Sequence, residues 1–185
     1  IGTKGKNIYL NELRKLGLYN THSYERFIPT EYMNSSREQR LELLNGLLDT
    51  DGDIDKLGSI SFNSTSERLA NDVQKLCWSL GYRCSIRKRK SMLNGIRMRD
   101  SFRLHISGEN QHELFSLPRK KERIKIRKVK PLTIISVKEK SICECQCISV
   151  SHDRSLYITD DYIVTHNTQF SLHFAKHAAL SNKQV

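Results

Sequence analysis

No stretch of this 185-residue sequence stays apolar long enough to span a bilayer, which takes about 20 residues. The opening residues are basic and polar and contain no signal-peptide core. These absences argue against a membrane partner and make a cytoplasmic location the expectation. The five cysteines, at 77, 84, 143, 145 and 147, lack the paired C-x-x-C spacing of zinc ligands. Alternation at 143, 145 and 147 puts three thiols on one face of a strand, which suits packing better than tetrahedral coordination, so reduced and mostly buried thiols are expected. Acidic residues are in the minority, 20 against 31 Lys and Arg, for a net charge of +11. The basic residues gather between Arg83 and Lys130, which favours a polyanionic partner, nucleic acid first. An apolar content of 37% permits a core, in one ordinary domain or two small ones.

Leucines at 10, 13 and 16 before Gly17 predict a short helix over 8–16 with a glycine C-cap. Phe27-Ile28-Pro29 reads as an extended entry, and Ser35 or Ser36 followed by Glu38 or Gln39 is a capping-box signature. A helix is therefore expected from about Arg37 to Asp49. Its Leu41, Leu44 and Leu48 share one face and Leu43 and Leu47 a second, with Gly46 between them. Such a helix suits close burial against a neighbour, because glycine lets two backbones approach.

The helix runs into Asp49-Thr-Asp-Gly-Asp53, and carboxylates at a helix C-terminus oppose the macrodipole. A divalent cation is the simplest counterweight. An EF-hand does not supply it. With Gly52 in the glycine position the loop begins at Leu47, and with Asp49 first the glycine position holds Ile54 and the final one Ile60.

Leu44-Asn-Gly-Leu-Leu-Asp-Thr-Asp-Gly52 resembles the LAGLIDADG motif of homing endonucleases, and Glu25-Arg-Phe-Ile-Pro29 is similar to the block preceding the second copy in intein endonucleases. The resemblance implies two such helices packed at a pseudo-twofold axis, double-stranded DNA as substrate, and Asp51 as ligand of a catalytic Mg2+. Asn45 stands where that motif usually has alanine.

The charge pattern downstream agrees with a DNA role. Ser59 to Asn63 alternates as a strand, Thr65 can cap a helix carrying Leu69, Val73, Leu76 and Leu80, and Gly81 closes it. Strand-like stretches 82–90 and 96–107 then flank Asn94-Gly95, a hairpin signal. Arg87 and Arg89 share one face, as do Arg97, Arg99 and Arg103 on the partner strand. A two-stranded ribbon fits the major groove, where arginine reads guanine in bidentate fashion.

Eight Lys and Arg fall between Arg119 and Lys130, and Pro131 opens the β-branched stretch Leu132 to Val137. Farther on, Cys143-Glu-Cys-Gln-Cys-Ile-Ser-Val150, the run from Leu156 to Thr165 and the tripeptide His166-Asn167-Thr168 closely resemble the C-terminal splicing blocks of inteins. An asparagine amide that reaches its own carbonyl can close a succinimide and cut the following bond, here Asn167–Thr168. Because the reaction is intramolecular, a fold that holds the geometry lowers the barrier. A neighbouring imidazole can protonate the leaving amine near neutral pH. The resemblance makes His166 the penultimate histidine, Asn167 the terminal asparagine and Thr168 the first extein residue, whose hydroxyl takes an acyl group as an ester. Cys147 falls where many inteins carry an aspartate that tunes the central steps. Leu156 falls where many carry a second histidine, for which His152 is the nearest substitute.

From Thr168 to Leu180, Phe170, Phe174, Ala175 and Ala178 give a helical pattern resembling the helix of a P-loop ATPase, with Thr168 as its terminal hydroxyl. The expected organisation is α+β. A LAGLIDADG half-domain of αββαββα type fills 1–120, the C-terminal strands of an all-β horseshoe (HINT) splicing domain fill 121–167, and an extein helix fills 168–185. Splicing needs no cofactor. Ile1 offers no nucleophile, so the first acyl shift is expected from an N-terminal intein fragment with its own extein, in cis or in trans. The alternative is a stand-alone LAGLIDADG DNA-binding or DNA-cleaving protein that does not splice.

Overall fold

Asn7 starts the first helix, α1 (Ile8–Lys15), by accepting from the amide of Leu10, and Gly17 ends it at a φ of 68°. A one-turn helix, α2 (Thr30–Met33), follows Pro29. Ser36 then forms the complete capping box: its Oγ accepts from the Gln39 amide at 3.3 Å, and Gln39 Oε1 accepts from the Ser36 amide at 3.2 Å. This launches α3 (Arg37–Asp51), two residues longer than the sequence predicts. The computed structural model describes residues 7–125, 133, 136, 138, 144 and 148–166, and the chain divides into two units, Ile1–Val129 and Lys130–Val185.

In the first unit, β1 (Gly52–Ile54) and β2 (Ile60–Ser64) lead into α4 (Glu67–Ser79). A long hairpin follows: β3 (Arg83–Arg89), its tip strands β4 (Met92–Leu93) and β5 (Ile96–Arg97), and β6 (Ser101–Ser107). A 3-10 turn at Gln111–Leu114 and a short helix, α5 (Pro118–Lys121), close the order. The main sheet is antiparallel in the order β1-β2-β6-β3. From α3 onward, with the β4/β5 tip counted as part of the β3–β6 hairpin, the succession is αββαββα, the order expected from the sequence.

Alternation along the strands decides what the sheet covers. Ile54, Ile60, Phe62, Cys84, Phe102, Leu104 and Ile106 form a buried face, packed with Leu44 and Leu48 of α3 and with Ala70, Val73, Leu76 and Cys77 of α4. Ile124 joins the same core, so the unit runs past residue 120.

Two expected details differ. Ser66, not Thr65, caps α4, because Ser66 Oγ is fixed in place: it accepts from the Leu69 amide at 3.1 Å and donates to the Arg26 carbonyl at 2.6 Å. Thr65 instead donates to Ser23 Oγ. The segment 25–29 is thereby tied to α4, with a second bond from the Ile28 amide to Asp72. Ser66→Ala removes the cap and strands a carbonyl, so it should cost about 2 kcal/mol, read from the urea midpoint. The other difference is the break at 98–100 in the stretch expected as one strand from 96 to 107. There Asp100 takes ion pairs from both Lys88 (3.5 Å) and Arg97 (3.2 Å), which suits an irregular turn better than a pleated strand.

In the second unit, β7 (Tyr157–Ile158) pairs antiparallel with β8 (Val164–Thr165) around a turn in which Asp161 and Tyr162 have φ of 61° and 58°. The stretches Leu132 to Val137 and Thr168 to Leu180, and the cysteines 143, 145 and 147, lie outside the described residues, apart from residues 133 and 136.

Candidate nucleic-acid interface

The solvent face of the main sheet is built by the residues that alternate with its core. Register sets Arg103 between Asn63 on β2 and Arg87 on β3, and His105 between Ser61 and Ser85. Arg89 lies opposite Ser101. Arg103 Nη2 donates to Ser61 Oγ at 3.1 Å, while its Nε is buried without a hydrogen-bond partner. Burial, then the cations Arg103, Arg87 and Arg89, lower the pKa of His105 against the pull of Asp55. The face therefore presents arginine charge flanked by hydroxyl, amide and imidazole groups, the donor set that phosphates and base edges accept.

Of the five arginines expected in the ribbon, Arg87, Arg89 and Arg103 come together. Arg97 and Arg99 do not. The break at 98–100 interrupts the alternation that would align them with Arg103. Arg97 sits on the hairpin tip paired to Asp100, and Arg99 lies 3.7 Å over the ring of Tyr24.

At the end of α3 the acidic cluster divides its work. Asp49 accepts from the amides of Ser116 at 2.9 Å and Leu117 at 3.4 Å, holding the start of α5. Lys120 of α5 reaches back, its Nζ donating to the carbonyls of Leu48 (2.6 Å), Asp49 (2.9 Å) and Gly52 (2.7 Å). An ammonium group thus sits at this carbonyl-rich helix end beside the acidic cluster. Burial and neighbouring Arg119 lower the Lys120 pKa, opposed by Asp49, Asp53 and Asp51. Lys120→Met should cost about 2 kcal/mol by removing charge-assisted bonds, seen as a lower urea midpoint. Lys120 and Asp49 were legible only as charge. Pro118 at the first position of a helix was the one local signal of a turn there.

Gly52 admits no substitute: an added Cβ would lie 2.4 Å from the Leu48 carbonyl oxygen. Asp51 is exposed at the helix terminus, and its carboxylate makes no hydrogen bond among the described residues. No group of three or more His, Cys, Asp or Glu able to hold a metal occurs among those residues.

Beside it runs an open groove of about 850 Å³. Leu43, Leu47 and Asp51 of α3 form one wall, and Leu13, Leu16 and Phe27 belong to its other sides. Gly46 is exposed, with nothing within 4 Å of an added Cβ. The second apolar face of α3 and its glycine thus have space beside them. Asn45, in the usual alanine position, has its Oδ1 buried without a hydrogen-bond partner.

In the second unit β8 delivers a buried Thr165 directly to His166, which is half-buried. His152 is engaged within its own turn, its Nδ1 accepting from the Arg154 amide at 3.2 Å. Cys147, Asn167 and Thr168 lie outside the described residues. No described helix is long and apolar enough to cross a membrane.

Residues 38–117 match the family model of the LAGLIDADG-like domain, which coincides with α3 through the turn before α5. The first unit thus contains a LAGLIDADG-like domain of mixed helix and sheet. Over longer spans the chain is similar to curated proteins of another description. It is 33% identical to replicative DNA helicase DnaB of Mycobacterium intracellulare over 181 residues, 94% of this chain and 30% of that protein. It is 32% identical to replicative DNA helicase DnaB of a Nostoc species over 109 residues, 56% of this chain and 12% of that protein. The Synechocystis DnaB is 28% identical over 116 residues, 60% of this chain and 13% of that protein. The chain spans less than a third of the length of these relatives.

Proposed function

We propose that this chain is the C-terminal portion of an intein carrying a homing-endonuclease half-domain, inserted in a host related to a replicative helicase. The observation that carries the DNA part is the outer sheet face, where Arg87 and Arg103 are direct cross-strand neighbours and Arg89 is two pairs further along β3. Like charges set opposite one another repel in the free protein, a cost that a polyanion removes. These arginines orient the phosphates. Asp51, with the matching carboxylate of a second such helix seated along Leu43, Gly46 and Leu47, would hold Mg2+. When bound, that ion supplies Lewis-acid activation of the scissile phosphate.

The splicing part rests on the match of Cys145 to Thr168 to the C-terminal splicing blocks, and on how far the similarity to the Mycobacterium protein extends. Alignment over 94% of the chain leaves about 11 residues outside it, fewer than the 18 that follow Asn167, so it crosses the Asn167–Thr168 bond. The same relative is thus similar to the LAGLIDADG-like region and to residues beyond Thr168. A helicase host also accords with the P-loop ATPase reading of Thr168 to Leu180. In the reaction Thr168 Oγ attacks the ester or thioester formed at the upstream junction, taking its acyl group as an ester and returning the side-chain hydroxyl or thiol to the first residue of the N-terminal intein fragment. The Asn167 side-chain nitrogen then attacks its own carbonyl, His166 protonates the departing amine of Thr168, and Cys147 moves protons in the earlier steps.

The DNA reading is tested by titrating salt against binding of a labelled duplex, followed by fluorescence anisotropy. Affinity should fall steeply as salt rises, and Arg87→Ala with Arg103→Ala should lower the slope of log K against log salt by about 2. An unchanged slope removes these arginines from the interface.

A further inference from the structure

The β4/β5 tip combines two features that rarely coexist on a protein surface. Met92, Leu93, Ile96 and Met98 are 61%, 59%, 67% and 46% exposed, four large apolar side chains within seven residues. Around them the segment 87–99 holds six Lys and Arg and no Asp or Glu. We propose that this tip is an apolar wedge that enters duplex DNA at a base step and partly unstacks it.

The proposal rests on the DNA reading above and adds to it what the end of the ribbon does. Asn94 and Gly95 close the hairpin with φ of 49° and 78°, the two-residue turn whose twist matches its strands, so the tip is narrow and its shape is set by backbone geometry. Nothing lies within 4 Å of an added Cβ at Gly95, which leaves that side of the turn open. Methionine, leucine and isoleucine are the side chains that architectural proteins push between base pairs, accepting a few kcal/mol of unstacking for a bent duplex with more contact.

Charge selects the partner. Asp100 engages only Lys88 and Arg97 of the six cations, and the basic shaft is continuous with the outer sheet face through β3 and β6. From the Arg87–Arg103 pair to the Leu93–Ile96 pair is six residues, about 20 Å if extended. The wedge therefore acts roughly six base-pair steps from the arginines' phosphates. That spacing puts the distortion at the flank of the site and not at its centre.

The test uses the full chain and an alternating thymine–adenine duplex containing 2-aminopurine, because every pyrimidine–purine step in it is easily unstacked. Anisotropy and 2-aminopurine emission are read in the same sample. Wild type at saturation should raise the emission several-fold. Leu93→Ser with Ile96→Ser keeps every cation, so it should still bind with the same salt slope while leaving emission near that of free DNA. Saturation by wild type without a rise overturns the wedge and leaves the DNA reading standing. No salt-sensitive binding by either form sinks both. Phosphatidylserine vesicles form the second arm: tighter binding to them than to duplex, lost in the double variant, assigns the tip to a lipid surface and overturns the proposal.

Discussion

Asn167→Ala should abolish release of the peptide that begins at Thr168. Alanine has no side-chain nitrogen to attack the carbonyl, and hydrolysis of an ordinary peptide bond is too slow to substitute. An oriented intramolecular nucleophile contributes about 7–11 kcal/mol, so the loss should reach the detection limit of mass spectrometry over days. His166→Ala should be milder, a slowing of about 10²–10⁴, because general-acid assistance is removed while the nucleophile remains. Products carry the signature of the route: a C-terminal succinimide on residue 167 and a free amine on Thr168. Release of the same peptide from the alanine variant would assign the cut to another group.

Asp51→Asn should eliminate Mg2+-dependent cutting while leaving DNA binding intact or slightly tighter. The exposed carboxylate contributes no hydrogen bond to the fold among the described residues, so the neutral isostere removes a metal ligand without disturbing α3. Cutting is measured on supercoiled plasmid with a second LAGLIDADG segment supplied, and binding by anisotropy. Leu47→Glu should abolish cutting as well, by a different route: a charge on the open face of α3 would have to be buried without a partner when the second helix packs. This chain as a monomer should cut weakly or not at all. Strong site-specific double-strand cleavage by the monomer, or unimpaired cutting by the asparagine variant, contradicts the shared-site account.

The αββαββα order was legible because its signals are local. Ser36 and Gln39 are three residues apart, Asn94-Gly95 permits few turns, and leucine spacing exposes α4 at a glance. What was hidden depends on residues distant in sequence. Lys120 reaches carbonyls about 70 positions away, and no periodicity encodes that reach. The acidic cluster after Leu48 was read as needing a divalent cation, and the ammonium of Lys120 at the same helix end was not foreseen. Thr65 and Ser66 are both competent caps, and the Arg26 carbonyl adds to the better propensity of serine in holding Ser66 at that position. Arg97 and Arg99 were aligned with Arg103 on the premise of an unbroken strand. Asp100, drawing in two cations, is the reason the premise fails.

The central claim is that this chain carries the second half of a peptide-splicing reaction. The direct measurement is mass spectrometry after the chain is mixed with an N-terminal intein fragment bearing its own extein. The account predicts a new species in which that extein is joined to the segment beginning at Thr168, accompanied by loss of that segment from the chain. An unchanged mass for both components, with each of them folded, contradicts it.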